Sequence, residues 1–261
     1  MTSPQPSTHP TKRAVVTGAS SGIGAATVRA LRAEGWDVVA LARREERLRA
    51  LAEETGCEWV VGDVTSDESV AAAVASITDG GRVDALINNA GGALGLEPID
   101  GADLGKWSAM YELNVVGTYR MTQALLPALR ETAGSIVFIT STAAHEPYEG
   151  GAGYVAAKYG ERVAARTLRL ELVGEPLRVI EIAPGMVHTE EFSLVRFDGD
   201  QERANGVYAN VDRPLLAEDI AEAVRWTVTL PAHVNIDSLV VRPVAQGGST
   251  KVHKGSLGFQ D

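Results

Sequence analysis

Tyr154 and Lys158 lie four residues apart, a spacing that puts both side chains on one face of a helix. A free phenol has a pKa of about 10 and carries protons poorly at neutral pH. A nearby ammonium stabilises the phenolate and lowers that value, so the pair suits general acid/base chemistry. Ser141 comes earlier, at the end of an apolar run, where its hydroxyl would point into the same cleft. Asn114 stands inside the preceding helical segment, a poor place for an amide side chain unless it supports a water linking the lysine to solvent. A bare Tyr-x-x-x-Lys also arises by chance, and Ser141 and Asn114 set this one apart.

A second set of residues could hold a ligand. Gly18, Gly22 and Gly24 follow the first apolar run as G-x-x-x-G-x-G, with Ser20, Ser21 and Ile23 between them. A turn this tight needs backbone without Cβ, and a pyrophosphate can then approach the amides at a helix N-terminus. At the end of the second run, an acidic side chain would bind a ribose 2′-hydroxyl, whereas arginine accommodates a 2′-phosphate. The chain has Arg43 and Arg44 there and no acid, which points to NADP. The plainer alternative is that the two arginines open a solvated helix with Glu45, Glu46, Arg47 and Arg49. Asp63, followed by Val64, either accepts from an adenine amino group or caps a helix. Asn89, Ala90 and Gly91 suit close approach to a ribose and support of a neighbouring strand.

These residues need elements to position them. Short apolar runs at 14–16, 38–41, 59–61, 85–87, 135–140, 178–182 and 239–241 alternate with helical periods at 22–34, 45–54, 67–77, 110–129 and after 153. Continuous apolar runs predict strands buried on both faces. Their alternation with helices predicts an α/β domain, a seven-stranded parallel sheet with helices on both faces. Residues 189–215 carry mixed charge, Gly199, Gly206 and Pro214 with no clean period, and read as a substrate lid. Residues 1–11 read as a disordered leader, 12–248 as the domain, and 249–261 as a tail that is loose or orders against a partner.

Composition narrows the classes. The chain has 261 residues, 45% hydrophobic and 22% charged, within the range of one soluble domain. With 24 Lys+Arg against 34 Asp+Glu, the net charge of −10 disfavours nucleic acid and anionic membranes as partners. No segment has the ~20 apolar residues of a membrane span. Cys57, the single cysteine, cannot make an internal disulfide and fits a reducing cytoplasm. His145, His188 and His233 lack ligand spacing, so no metal is expected.

Taken in order, Thr17 to Gly24, Asn88 to Gly91, Asn114, Ser141, Tyr154, Lys158 and the run Pro184, Gly185, Met186, Val187, His188, Thr189 resemble the short-chain dehydrogenase/reductase superfamily. The resemblance implies a Rossmann fold and hydride transfer between NAD(P)H and a small alcohol or carbonyl substrate. It implies that Tyr154 moves the proton and that Lys158 binds the nicotinamide ribose and tunes Tyr154. Ser141 would hold the substrate oxygen, and Asn114 would belong to a proton relay. Pro184, Gly185, Val187 and Thr189 would contact the nicotinamide, and the assembly would be a homotetramer or homodimer. Residues 93–98, 147–151, 191–200, 230–236 and 242–246 are similar to the NADP-dependent serine/3-hydroxy acid dehydrogenases. In that reading Arg196 pairs with a substrate carboxylate; otherwise it pins the lid.

The chain departs from that branch at His188, Thr189 and Glu190, and by carrying Glu146 and Glu149 before Tyr154. Inward-facing carboxylates would favour a neutral ketone, aldehyde or polyketide-type carbonyl instead. A carrier-protein-linked 3-oxoacyl reductase would need a basic docking patch, which no Lys/Arg cluster supplies. A dinucleotide-sensing regulator without turnover is the alternative of another class.

Overall fold

Val-, Ile- and Leu-rich runs become strands here because such side chains fill both faces of a pleated sheet. The computed structural model describes residues 11–259. Its strands are β1 (Arg13–Thr17), β2 (Asp37–Ala42), β3 (Glu58–Val61), β4 (Ala85–Asn88), β5 (Ser135–Ile139), β6 (Arg178–Pro184), β7 (Val187–His188), β8 (Leu215–Leu216) and β9 (Ser238–Val241). All but β7 and β8 share one sheet in the order β3-β2-β1-β4-β5-β6-β9, parallel at every pairing. The expected seven-stranded parallel sheet is therefore present. β7 and β8 form a separate parallel pair.

The helices are α1 (Gly22–Ala33), α2 (Glu45–Thr55), α3 (Asp67–Asp79), α4 (Leu104–Tyr111), α5 (Gly117–Thr132), α6 (Ala152–Glu171), α7 (Phe192–Arg196), α8 (Gln201–Tyr208) and α9 (Ala217–Thr229). They cover both faces of the sheet, and alternation along each strand divides the core. Val16, Ile87 and Val137 join Val28 and Leu31 of α1 and Ile220 and Val224 of α9. Val15, Leu86, Ile136 and Phe138 join Ile77 of α3 and Met121, Leu125 and Leu129 of α5. Arg178 at the start of β6 donates to the carbonyls of Thr227, Val228 and Leu230. A buried guanidinium thus satisfies acceptors that the end of α9 leaves open.

Three sequence expectations change in detail. The helix expected at 110–129 is α4 and α5 joined by a π-helical turn, Glu112–Val116, because an inserted residue widens one turn. The aperiodic 189–215 segment contains α7 and α8, the latter started by Asp200 accepting from Arg203 N, and is framed by β7 and β8. Beyond 248 the chain lies along that segment: Lys254 Nζ donates to Ala209 O at 2.7 Å and Leu257 N to Asp212 Oδ2 at 2.6 Å. Of the expected leader, residues 1–10 lie outside the described residues. No helix among the described residues is long and apolar enough to cross a membrane.

The strand order reverses between β1 and β4, so the connections leave a crevice at the carboxyl ends of these strands, where open α/β sheets bind ligands. The sheet core sets how firmly that crevice is held. Phe138 is fully buried and stacks on Tyr119 with ring centroids 5.5 Å apart. Phe138→Ala is expected to cost about 3–5 kcal/mol, read as a lower denaturant midpoint with an unchanged slope.

Candidate active site

The crevice is a cleft of about 870 Å³, within the usual size of small-molecule sites. Its floor is built where β1 and β4 end. Thr17 Oγ1 accepts from Asn89 N at 3.0 Å and Ala90 N at 2.9 Å, and donates to Ile87 O at 3.3 Å. Asn89 Nδ2 returns a bond to Thr17 O at 2.9 Å. The glycine turn is pressed against this clamp: a Cβ on Gly18 would lie 2.8 Å from Ala90 Cα, and φ at Gly18 is +64°. A Cβ on Gly24 would collide with Gly18 O and lie 2.6 Å from Asn89 Nδ2. Ser21 is the N-cap of α1 but makes no side-chain cap, so the helix's first amides remain available to an anion in the cleft. The turn therefore suits a pyrophosphate.

Tyr154, Lys158 and Ser141 line this one cleft. Tyr154 and Lys158 lie on α6 one turn apart, and Ser141 follows β5. Ser141 Oγ accepts from Ala143 N at 3.1 Å, which orients the hydroxyl. Lys158 is buried, and its Nζ donates to Ile139 O at 3.1 Å and to Glu161 Oε2 at 2.7 Å. Asn114, in the π-helical turn, does not line the cleft. It is fully buried behind Gly91 and Gly92, donates to Gly92 O and Met110 O, and accepts from Gly92 N. A Cβ on Gly91 would meet Asn114 Oδ1 at 2.6 Å and Lys158 Nζ at 3.3 Å. The absence of that Cβ leaves a gap shared by the amide oxygen and the ammonium.

The other residues singled out from sequence mostly reach the same cleft. Gly18, Ser21, Gly22, Ile23, Arg43, Arg44, Asp63, Val64, Asn89, Ala90 and Gly91 line one end. Pro184, Gly185, Val187, Thr189 and Arg196 line it near Tyr154. Ser20 and Gly24 do not line it. Ser20 Oγ instead accepts from Arg44 Nη2 at 2.9 Å, and Gly24 lies beneath the turn. Asp63 accepts from Thr65 N at 2.9 Å and Thr65 Oγ1 at 2.7 Å, while Ser66 is the N-cap of α3. Burial pushes the Asp63 carboxyl up, but the Thr65 bonds and the charges of Arg43 and Arg120 outweigh it and hold the group below the usual carboxylate range.

One corner was not legible from sequence. Glu191, just after β7, is bonded by Arg44 Nη1 at 2.7 Å, Arg47 Nη1 at 2.6 Å and Ser21 Oγ at 2.8 Å. The Arg44 bond is the main cause that holds the Glu191 carboxyl below its usual range, against a smaller effect of burial. The site thus gathers guanidiniums around an anionic group beside the glycine turn. Arg47 is brought in because it lies in the first turn of α2, directly after the N-cap Arg44.

Glu146, Glu149 and Glu190, which would disfavour an anionic substrate if they faced inward, do not line the cleft. Glu146 turns to Arg242 Nη2 at 2.9 Å and Ser249 N at 3.0 Å. The Ser249 backbone bond and the Arg242 charge hold it low against burial. Glu149 and Glu190 are exposed. Arg196 reaches the cleft with its guanidinium carbon 5.9 Å from the Tyr154 ring centre. It donates to Gly95 O and to Tyr148 Oη, both at 3.0 Å. The bonds from Arg196 thus tie the 189–215 segment to the loops after β4 and β5 and leave a cation facing the cleft. Tyr148 is a lining residue that sequence reading passed over.

A parallel sheet reversing at β1/β4, with a glycine turn and a Tyr-Lys pair at its carboxyl edge, defines a dinucleotide-type α/β protein. The short chain dehydrogenase family profile matches residues 12–197, and the chain belongs to that family. An uncharacterized oxidoreductase of Mycobacterium tuberculosis is 54% identical over 239 residues, 91% of this chain and 93% of the relative. An NADP-dependent 3-hydroxy acid dehydrogenase of Salmonella typhi is 42% identical over 245 residues, 92% of this chain and 98% of the relative. The solved closed form of serine dehydrogenase complexed with NADP+ superposes with a TM-score of 0.88 at 41% identity, covering 93% of this chain and 99% of that one.

Gly24→Ala is expected to destabilise the fold by about 1–3 kcal/mol through overpacking. Gly206→Ala, on α8 where nothing lies within 4 Å of the new Cβ, is expected to be neutral or to gain up to ~1 kcal/mol. Chemical denaturation of the two variants checks the contrast.

Proposed function

We propose that this protein is an NADP(H)-dependent oxidoreductase that acts on a small alcohol or carbonyl, of the 3-hydroxy acid or serine type. The observation that carries the reading is the convergence of the Tyr154 phenol, the Lys158 ammonium and the Ser141 hydroxyl on the cleft that also holds the glycine turn. The named activities of the 42% identical relative and of the superposed structure agree with it. The bound dinucleotide supplies or accepts the hydride.

The chain's own residues would do the rest. Gly18 to Gly24 and the open amides of α1 hold the pyrophosphate, with Ser20 and Ser21 beside it. Arg43 and Arg44 hold the 2′-phosphate, Asp63 and Val64 the adenine, and Asn89 to Gly91 a ribose. Pro184, Gly185, Val187 and Thr189 orient the nicotinamide. Tyr154 Oη takes the proton of the substrate hydroxyl in oxidation and returns it to the carbonyl oxygen in reduction. Ser141 Oγ hydrogen-bonds that oxygen. Lys158 favours the phenolate and holds the nicotinamide ribose. Asn114 continues the proton path through the gap beside Gly91.

Arg196 supports an anionic substrate, because its guanidinium faces the cleft near Tyr154 while its two bonds are to uncharged oxygens. The reading includes a cytoplasmic location and a homotetramer or homodimer, the assembly supported by exposed apolar residues such as Leu170 and Val173 on and after α6.

Steady-state assays with both dinucleotides are expected to favour NADP over NAD, and Arg44→Ala to narrow the preference by at least about tenfold, the value of one charge-assisted bond. Equal turnover with NAD in the parent would reject the phosphate assignment. Tyr154→Phe is expected to lose about 10²–10⁴ in kcat while retaining dinucleotide binding by fluorescence. Arg196→Ala is expected to raise KM about tenfold or more for a 3-hydroxy acid and much less for a neutral alcohol. An equal effect on both would point to a neutral substrate, and no turnover on either to a sensing protein.

A further inference from the structure

The ammonium that faces Tyr154 does not act alone. Lys158 and Glu161 are 4% and 1% exposed, and Nζ lies 2.7 Å from Glu161 Oε2. The pair sits three residues apart on α6, with its carboxylate turned inward. Two opposite charges this close form a nearly neutral unit. In a dry interior an ammonium alone projects a strong field, whereas an ion pair projects much less. Tyr154, one turn earlier on α6, therefore feels the full lysine charge only when the carboxylate is protonated.

The surroundings keep Glu161 from being a permanent anion. Glu181 on β6 is 3% exposed and already has its own partners. Thr140 Oγ1 donates to it at 2.9 Å, His145 Nε2 lies 3.0 Å away, and Arg162 Nε 3.5 Å away. The phenol of Tyr119 on α5 donates to the backbone oxygen of Glu161 at 2.9 Å. Burial pushes the Glu161 carboxyl up to about 7; the Lys158 charge and hydrogen bond oppose this, and the Glu181 charge adds to it. For Lys158 burial works downward, but Glu161 and Tyr154 outweigh it and hold the ammonium charged. Of the pair, the carboxylate is thus the one that burial drives toward its neutral form.

We propose that Glu161 is a positioning residue for this site, a carboxylate that acts through Lys158 to set how strongly the Tyr154 phenolate is favoured. Tyr154 gives its proton to the carbonyl oxygen in reduction; where Glu161 already holds a proton by equilibration with bulk water, the ammonium is unmasked and the phenolate left behind is stabilised. When Tyr154 is protonated, ionised Glu161 neutralises Lys158. No bond to substrate or dinucleotide is involved, and the proton on each group favours loss of the proton from the other. The assignment rests on the reading of Tyr154 as the proton carrier.

Alcohol oxidation needs the phenolate, so its rate rises with pH as Tyr154 deprotonates. Glu161→Gln keeps a hydrogen-bond acceptor beside Nζ but removes the charge. The acid limb of the oxidation profile is then expected to move down by about one pH unit, the size of an opposite-charge effect at short range. Glu161→Asp, which keeps a carboxylate, is expected to return the limb toward the parent position. The phenolate absorbance of Tyr154, taken as the difference from Tyr154→Phe in each background, is expected to move down equally without any substrate. Glu161→Met fills the same space without charge and must move the titration in the same direction, which covers a Gln variant that fails to fold. An unmoved or upward-moving titration in the folded neutral variants overturns the proposal. If Tyr154→Phe retains full activity while the absorbance still shifts, the proton-carrier reading fails and the electrostatic coupling stands.

Discussion

The hydroxyl of Thr17 holds the two halves of the sheet together at the point where the chain changes direction. It bonds Asn89 N, Ala90 N and Ile87 O, so one side chain satisfies three backbone groups where β1 and β4 stop pairing. Because these strand ends are tied, the loop after β4 lies against the glycine turn, closer than any Cβ would permit. That contact aims the open N-terminus of α1 across the cleft. The same loop then backs onto Asn114, whose amide bonds both sides of Gly92. The strand-end clamp, the glycine turn and buried Asn114 thus all bear on the loop after β4.

Charges are used differently at the rim and in the interior. Arg44, Arg47 and Glu191 meet where the arginine side chains are 44% and 47% exposed. Pairs so open to water contribute little to stability, which leaves the guanidiniums free to exchange one anion for another. Lys158 and Glu161 meet where water is excluded. There, removing one partner strands a charge, and each proton on one alters the other. Ion pairs of a basic side chain with a glutamate therefore stand in two opposite settings, one open to water and one closed to it.

Much of this was readable in the amino-acid order. Apolar runs such as 14–16 and 85–87 had to be buried on both faces, and the parallel order followed from their alternation with helices. The glycine turn announced itself because only glycine tolerates the approach at Gly18 and Gly24. Tyr154, Lys158 and Ser141 could be brought together because each sat at a strand end or on the helix after one. Glu161 was passed over although its spacing of three from Lys158 was visible, because a charged residue on a helix is ordinarily solvated. Its inward face is set by packing of α6 against β6 and α5. The Glu191 corner is formed by residues 147 apart in sequence from Arg44, a contact made by the fold alone. The direction of the carboxylates near 146–149 and 190 is not written in the sequence, for the converse reason. Proximity in sequence to Tyr154 and to β7 did not fix direction, and Arg242 and Ser249 drew Glu146 aside.

The π-helical turn at Glu112–Val116 amounts to a spare residue stored inside a rod. Excising any single residue there would let α4 run into α5 as ordinary α-helix, and everything upstream would swivel by about 100° about the axis relative to α5. Asn114 would then leave the register in which it straddles Gly92. Length in this stretch is consequently as constrained as side-chain identity. An alignment gap one position wide, harmless in a surface loop, would here misassign the amide that the loop after β4 leans upon.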